Sequence, residues 1–212
     1  VEIEIGGQKI DKHYSTWLGI YDELFETNYG LKEAVKGHFV PLRFWFNRNP
    51  GLALPLIALQ YHEVKVVVEG ASTCKSLLVN YLYLDTDERR RFAQVSHEYL
   101  IEQVQHTGTE SLGSVASKSI TLTFNHPVKA LFWKLEAASG DSVPATYTAK
   151  LQLNGHDRAA EQGHMYYVGV QPYECGLKGT GSVDNAAVTT AAAAMYSFLS
   201  LIHISEPTRR KR

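Results

Sequence analysis

The feature that most constrains the fold of this 212-residue sequence is a succession of short segments with the composition of β-strands, separated by turn-forming residues. The clearest is residues 1–5, where apolar and acidic residues alternate strictly before Gly6 and Gly7, a pattern typical of a strand entering a tight hairpin. Valine, leucine and aromatic residues predict the other strands. They lie at residues 38–46, 56–69, 77–84, 99–105, 120–124, 130–135, 147–153 and 165–170. The chain is therefore predicted to be mainly β.

Two helices interrupt this pattern. From Asp11 the apolar residues recur at spacings of three and four, which predicts an amphipathic helix over about 11–26 with Asp11 as its cap. The residues on its apolar face are Tyr14, Trp17, Leu18, Tyr21, Leu24 and Phe25. Residues 85–98 place acids ahead of Arg89, Arg90 and Arg91, the charge order that suits a helix start. This segment is predicted to be a short helical connector between two β-rich halves.

The charge balance indicates which partners the chain can attract. Lysine and arginine number 21 against 22 acids, a net charge of −1, so no overall field draws the chain to nucleic acid or to an anionic membrane. The three arginines lack the interleaved aromatics of a nucleic-acid site and are expected to pair with local acids or a neighbouring subunit. We expect recognition by shape, with no direct contact to nucleic acid.

Cysteine content and hydropathy limit the class of protein further. Cys74 and Cys175 are the only cysteines, too few for a disulfide framework, which favours a reducing compartment. Residues 185–202 are uncharged but diluted by threonine, serine and asparagine, so they are not expected to form a transmembrane helix. With 44% hydrophobic residues, the chain is expected to form a packed core.

Several fragments of catalytic motifs occur, and each is incomplete. His62-Glu63 and His97-Glu98 begin like a zinc-protease helix, but the required second histidine is replaced at positions 66 and 101. The glycine-rich stretch 176–182 lacks the Gly-Lys-Ser/Thr ending of a phosphate loop, and residues 70–74 lack the final glycine of a nucleophile elbow. Glu2 and Glu4 alternate with apolar residues and are predicted to form an ordinary solvent face. We expect no catalytic residue, metal ligand or cofactor.

A weak internal repeat links the two halves. Residues 3–7 and 151–155 share the order apolar, long polar, apolar, turn former, glycine, at an offset of 148 residues. Two ordinary hairpins and a tandem duplication of one β domain both account for it.

Four longer motifs in the first half carry a resemblance to a known family: residues 5–14, 49–65, 84–94 and 97–103. Residues 124–127, 153–158 and 170–173 extend it into the second half. With these motifs the chain resembles, over residues 1–198, the major capsid proteins of the nucleocytoplasmic large DNA viruses, most closely those of algal viruses, the phycodnavirus type.

The resemblance implies an all-β double jelly-roll β-sandwich with a few short helices. Residues 1–84 would be the C-terminal part of the first roll, 85–98 the connector, and 99–198 the N-terminal part of the second roll. It further implies that three chains form a pseudo-hexagonal capsomer that tiles an icosahedral shell, so the function is structural and not enzymatic. The partners would be two further copies, neighbouring capsomers and minor capsid proteins, in a virion assembled in the host cytoplasm.

Two departures from the family pattern lead to further expectations. Family members have strands before the position of Val1 and after Phe198, so both rolls are expected to be incomplete and the isolated chain insoluble or poorly folded. Residues 199–212 read like a translated sequencing adapter and are interpreted as a non-native tail.

Two other classes of function compete with the shell protein. Jelly rolls also serve as lectins, and Trp17, Trp45 and Trp133 could offer the stacking platforms of a carbohydrate-binding module. However, Trp17 lies on the apolar face of the predicted helix and Trp45 lies between two phenylalanines, positions more typical of packing. A β-sandwich hydrolase would need convergent acid, base or metal groups, and no complete set occurs in the sequence.

Overall fold

The computed structural model describes residues 1–25, 39–70, 74–113, 115–137, 146–177 and 193–198. The chain divides into two compact units, Val1–Leu18 with Gly37–Thr121 and Gly19–Lys36 with Leu122–Arg212. The assignment of residues 1–84, 85–98 and 99–198 to successive parts of a double jelly roll stays a prediction.

The first unit is organised around a three-stranded antiparallel sheet. Its strands are β1 (Glu2–Ile5), β2 (Gln8–Lys12) and β3 (Val64–Val67), in the order β2-β1-β3. Gly6 and Gly7 have φ angles of 59° and 79°, the left-handed conformation that a two-residue hairpin turn requires. The predicted hairpin is confirmed, and β1 is the central strand of the sheet.

Outside the sheet, the first unit contains short helical turns and one exposed helix. The 3₁₀ turns are Trp45–Asn47 and Pro50–Leu52, and the helix α2 is Thr86–Gln94. The Asp85 side chain caps this helix by accepting from the backbone N–H of Thr86 at 2.7 Å. The helix predicted within 85–98 is therefore present.

The first predicted helix begins later than expected. Helix α1 is Ser15–Phe25, and Ile20 and Leu24 are its buried residues. Asp11 is not its cap, because Asp11 lies in β2 and its carboxylate accepts hydrogen bonds from Lys12 and Val104. The helical periodicity therefore predicts the helix, but the expected cap is wrong. An aspartate four residues before a helix can equally belong to the preceding strand, as Asp11 does.

Among its described residues, the second unit contains three pairs of short antiparallel strands and a helical turn. The longest pair joins β4 and β9, with Ala130 opposite Ser197 and Trp133 opposite Ala194. The strands are β4 (Ala130–Trp133), β5 (Thr148–Ala149), β6 (Gln152–Leu153), β7 (His156–Asp157), β8 (Gln162–Gly163) and β9 (Ala194–Ser197), where β5 pairs with β8 and β6 with β7. Asn154 and Gly155, with φ angles of 53° and 80°, form the predicted turn between β6 and β7.

The core of the second unit consists of Tyr167, Val168, Ala194 and Tyr196. The Tyr167 hydroxyl donates to the backbone carbonyl of Ala149 at 2.8 Å, so this buried polar group is satisfied. Burial raises the pKa of the Tyr167 hydroxyl. Because β9 is buried along its whole length, it is the strand around which this core is built.

The strand predicted at 165–170 is wrong. Tyr166–Val170 is a π-helical turn that continues into α3 (Gln171–Glu174). Tyrosine and valine favour strands because they suit a pleated, half-buried surface, but here the helical turn places Tyr167 and Val168 in the core beside β9. Tertiary packing overrides the local preference.

Other predicted strands are absent or shorter than expected within the described residues. A strand forms only where a partner supplies ladder hydrogen bonds, and these segments have no such partner there. The strand predicted at 56–69 is reduced to Val64–Val67, and the one at 38–46 is replaced at its end by the turn Trp45–Asn47. Segments 77–84, 99–105 and 120–124 contain no strand.

Candidate functional site

An unusual surface of the first unit is residues 77–84, here called the exposed apolar segment. Successive side chains of an extended segment point to opposite faces, and side chains of both sets are exposed here: Leu78 is 74% accessible and Tyr83 is 93% accessible. None of its backbone groups forms a hydrogen bond with another described residue. Soluble proteins rarely leave such a contiguous apolar run uncovered, and runs of this kind mark interaction surfaces.

The composition of this segment indicates what covers it. A strand with water on one face alternates apolar and polar residues, whereas a strand buried on both faces is apolar throughout. Residues 77–84 follow the second pattern except at Asn80, because the other seven are leucine, valine or tyrosine. The segment therefore has the composition of an interior strand, and its unpaired N–H and C=O groups can accept strands on both edges.

A buried polar pair lies beside the sheet of the same unit. Asp11 and His13 lie two residues apart, and the His13 Nε2 to Asp11 Oδ2 distance is 3.1 Å, with both side chains at most 1% exposed. The other carboxylate oxygen, Oδ1, accepts from the backbone N–H of Lys12 at 2.9 Å and of Val104 at 3.1 Å. The Asp11 carboxylate thus ties β2 to a segment more than ninety residues away in sequence.

Aromatic rings enclose the imidazole of this pair. The His13 ring stacks on Phe44 with centroids 4.2 Å apart, and Trp17 meets its edge at 6.3 Å. His13 Nδ1 has no hydrogen-bond partner within the described residues. No motif in the sequence indicated this pair, although two polar residues at i and i+2 in an extended segment share one face.

Glu2 departs from its predicted position on a solvent face. Its side chain is only 4% exposed, and it pairs with Lys9 at 2.9 Å and with Lys12 at 3.6 Å. The hydrogen bond from Lys9 lowers the pKa of the Glu2 carboxyl, and the same bond raises the pKa of Lys9. Glu2 is buried because β1 has a neighbour on each side, and β2 supplies the two cations.

The incomplete catalytic motifs do not converge with other reactive groups in the described residues. Glu63 pairs with the nearby Lys65 at 3.1 Å, and Cys74 is exposed. His97 Nε2 lies 2.7 Å from the carbonyl oxygen of Phe92, so this histidine braces the end of α2. Within the described ranges, no group of three or more histidine, cysteine or acidic side chains is arranged to hold a metal ion.

Some predictions fall on residues that the structure does not describe. The glycine-rich stretch 176–182 is described only at Gly176 and Leu177, and the interpreted tail 199–212 lies outside the described residues. Of residues 185–202, only 193–198 are described, and β9 lies there. Among the helices of the described ranges, none is both long and apolar enough to cross a bilayer.

The tryptophans proposed as carbohydrate platforms are not presented as flat exposed rings. Trp45 is buried, and Trp17 and Trp133 are partly buried. The Trp133 indole donates to the Tyr147 hydroxyl at 3.3 Å, and its ring meets Tyr167 edge-on. These contacts are those of core residues, so the structure offers no support for a carbohydrate-binding module at these positions.

The three arginines of α2 are exposed. Arg90 lies 3.5 Å from Asp87 on the same helix, as predicted for pairing with a local acid. Arg89 and Arg91 form no ion pair within the part of the chain that the structure describes.

Two family models match the chain. Residues 1–99 match the major capsid protein N-terminus, and residues 88–198 match the large eukaryotic DNA virus major capsid protein.

Curated relatives and a solved structure agree with these matches. The chain is 54% identical to the major capsid protein of Pyramimonas orientalis virus, over 82% of this chain and 52% of that protein. It is 39% identical to the major capsid protein of Paramecium bursaria Chlorella virus 1, over 93% of this chain and 60% of that protein. It is also similar to a chain of the quasi-atomic model of the PBCV-1 virus capsid, with a TM-score of 0.66 at 36% identity, covering 94% of this chain and 63% of that one.

These likenesses bear on the fold and on the extent of the chain. The predicted fold class, an all-β jelly roll with a few short helices, is confirmed by the structural match. The chain spans about half to three-fifths of the length of these two curated relatives.

Proposed function

Because the chain belongs to the major capsid protein family of the large eukaryotic DNA viruses, we propose that it is a structural subunit of an icosahedral viral shell. The exposed apolar segment is the structural observation that supports this role most directly. Residues 77–84 are apolar or aromatic except for Asn80 and require a cover, and a shell subunit is covered by other protein. The proposed role is mechanical and not catalytic.

The proposed building block is a homotrimer. Three copies of a chain with two similar barrels place six barrels around a threefold axis, which gives a nearly hexagonal outline that can tile a facet. Permanent interfaces of this kind bury about 2,000 Å² or more and are rich in apolar residues. The further proposed partners are neighbouring capsomers and minor capsid proteins, in a virion that assembles in the host cytoplasm.

The buried polar contacts of the first unit support a subunit of fixed shape. A repeated shell subunit must have the same outline in every copy, so segments that are distant in sequence need to be held in fixed positions. The Asp11 carboxylate holds Val104 against β2, and Gln103 donates from its side chain to the carbonyl of Ile10. Directional hydrogen bonds of this type fix position more strictly than apolar contacts do.

The test uses the reading frame that contains these residues, expressed with the sequence that flanks it in its genome. Light scattering should give the mass of a trimer, and electron microscopy should show pseudo-hexagonal particles. Leu78→Asp with Leu82→Asp should reduce assembly, whereas Leu153→Asp, at an isolated exposed leucine on β6, should leave it unchanged. A protein that stays monomeric at every concentration while retaining its circular dichroism would contradict the proposed function.

A further inference from the structure

Helix α2 is unusual because its own packing does not account for it. It is nine residues long and contains no buried residue. Isolated helices shorter than about 12–15 residues are marginal in water, so contacts outside the helix are needed to hold it. The Asp85 cap stabilises its first turn, and the ring of His97 stacks on Phe92 near its last turn. The helix is thus held in place with its charged surface free.

The charges of this helix are balanced and ordered. Three acids, Asp85, Asp87 and Glu88, precede three bases, Arg89, Arg90 and Arg91. Arg90 and Asp87 form a long, highly exposed pair, whereas Glu88, Arg89 and Arg91 form no ion pair within the described residues. The helix therefore presents charges of both signs in equal number.

One face of the helix adds an apolar centre to these charges. Glu88, Arg91, Phe92 and Val95 follow the spacing i, i+3, i+4 and i+7, which places them on one stripe. Together with His97 they line a shallow cavity of about 290 Å³, in which Val95 is about half exposed. Apolar contact surrounded by charged residues is the usual anatomy of a protein interface.

We infer that this stripe is a contact between two copies of the chain, with their α2 helices antiparallel across a twofold axis. In that arrangement Glu88 of each copy faces Arg91 of the other, and the two Phe92 side chains flank these charge pairs on either side of the axis. A twofold contact requires a self-complementary patch, because residue i contacts j and j contacts i. Glu88 and Arg91, which carry opposite charges and lie three residues apart on the stripe, satisfy this requirement.

The same charge pattern argues against the other partners of an arginine-rich helix. A nucleic acid or an anionic membrane would meet Asp87 and Glu88 beside the arginines, and the resulting repulsion would offset much of the attraction. The inference rests on the proposed function in one respect: in an assembling shell, this twofold contact would join neighbouring capsomers.

A charge-exchange experiment tests the contact, using the reading frame with its genomic flanks. One variant carries Arg89→Glu and Arg91→Glu, and the other carries Asp87→Lys and Glu88→Lys. Each variant alone should lose self-association between capsomers by about tenfold, since exposed pairs contribute only modestly and like charges then face each other. An equimolar mixture should recover it, because an acidic helix then meets a basic one. Sedimentation velocity at several concentrations measures both effects.

The control is Arg158→Glu, which makes the same type of substitution at a single exposed arginine of the second unit, with half the charge change of the double variant, and it should leave association unchanged. Recovery in the mixture supports the twofold contact. Loss without recovery, or no loss in either variant, overturns it. Stronger binding of wild type to DNA or to phosphatidylserine vesicles than to itself also overturns it. If wild type forms no trimer, the proposed function fails separately, and the contact is then judged by whether wild type dimerises and the mixture does so too.

Discussion

Replacement of Asp11 by alanine should destabilise the first unit strongly. The carboxylate is buried and accepts from Val104, from Lys12 and from the His13 ring. Alanine leaves the Val104 N–H and the imidazole N–H in the interior without an acceptor, and each such loss costs about 1–3 kcal/mol. Together they predict a loss of about 3 kcal/mol, in the range seen when one partner of a buried pair is removed.

The assay is thermal unfolding of the protein expressed with its genomic flanks, followed by circular dichroism. In a cooperative unit of about 150–250 residues, 1 kcal/mol shifts the midpoint by roughly 2–4 °C, so Asp11→Ala should lower the midpoint of the transition that includes the first unit by about 6–12 °C. Hydrogen exchange at the Val104 amide reports on the same bond directly and should accelerate in the variant.

Asparagine at position 11 provides the graded comparison. It keeps one oxygen to accept from Val104 and Lys12, and it loses only the charge and the fixed direction of the His13 bond, so a loss of about 1 kcal/mol is expected. Asp157→Ala is the control, because that carboxylate is exposed on the β6–β7 hairpin, where it pairs with Lys150. If alanine and asparagine at position 11 have equal effects, or if both match the control, the hydrogen-bond reasoning is refuted.

Three further predictions concern other parts of the molecule. Tyr167→Phe removes a buried hydroxyl that donates to a backbone carbonyl, which should cost about 1 kcal/mol and lower the unfolding midpoint by about 2–4 °C. An unchanged midpoint contradicts this. Leu78→Lys with Leu82→Lys should raise the soluble fraction of the isolated 212-residue chain, measured by centrifugation after expression. A soluble wild-type monomer with a sharp, cooperative melt would contradict the expectation that the exposed apolar segment makes this chain insoluble. The pKa of Glu2 is lowered by its bond to Lys9, so the ionised carboxylate stabilises the fold above the pKa of the unfolded state, and this stabilisation is lost as the pH falls. The difference in unfolding midpoint between wild type and Glu2→Gln should therefore shrink below about pH 4. A difference that stays constant with pH argues against the pairing.

Local patterns predicted the elements whose signal is carried within a few residues. The first hairpin has strict alternation and two glycines that can adopt positive φ, and the turn at Asn154-Gly155 has the same chemistry. The helix within 85–98 has a capping aspartate and acids in its first turn. In each case the determining residues are neighbours in sequence, so the sequence alone was sufficient.

Long-range packing decided the elements that were missed. Tyr167 and Val168 favour a strand by composition, but their position against β9 places them in a helical turn. The burial of Glu2 depends on β1 having strands on both sides, which alternation within β1 cannot reveal. The Asp11 tie depends on Val104, a residue that no local pattern connects to β2. Such contacts become visible only when the topology is known.

The central position of β1 has a consequence for how the chain is synthesised. β2 can pair with β1 as soon as the hairpin leaves the ribosome, but β3 follows roughly fifty residues later. At a translation rate of about 5–20 residues per second, one edge of β1 waits roughly 3–10 s for its second neighbour. During that interval, nascent chains on the same polysome present identical open edges to one another, so slower translation of this stretch should increase misassembly before any subunit is complete.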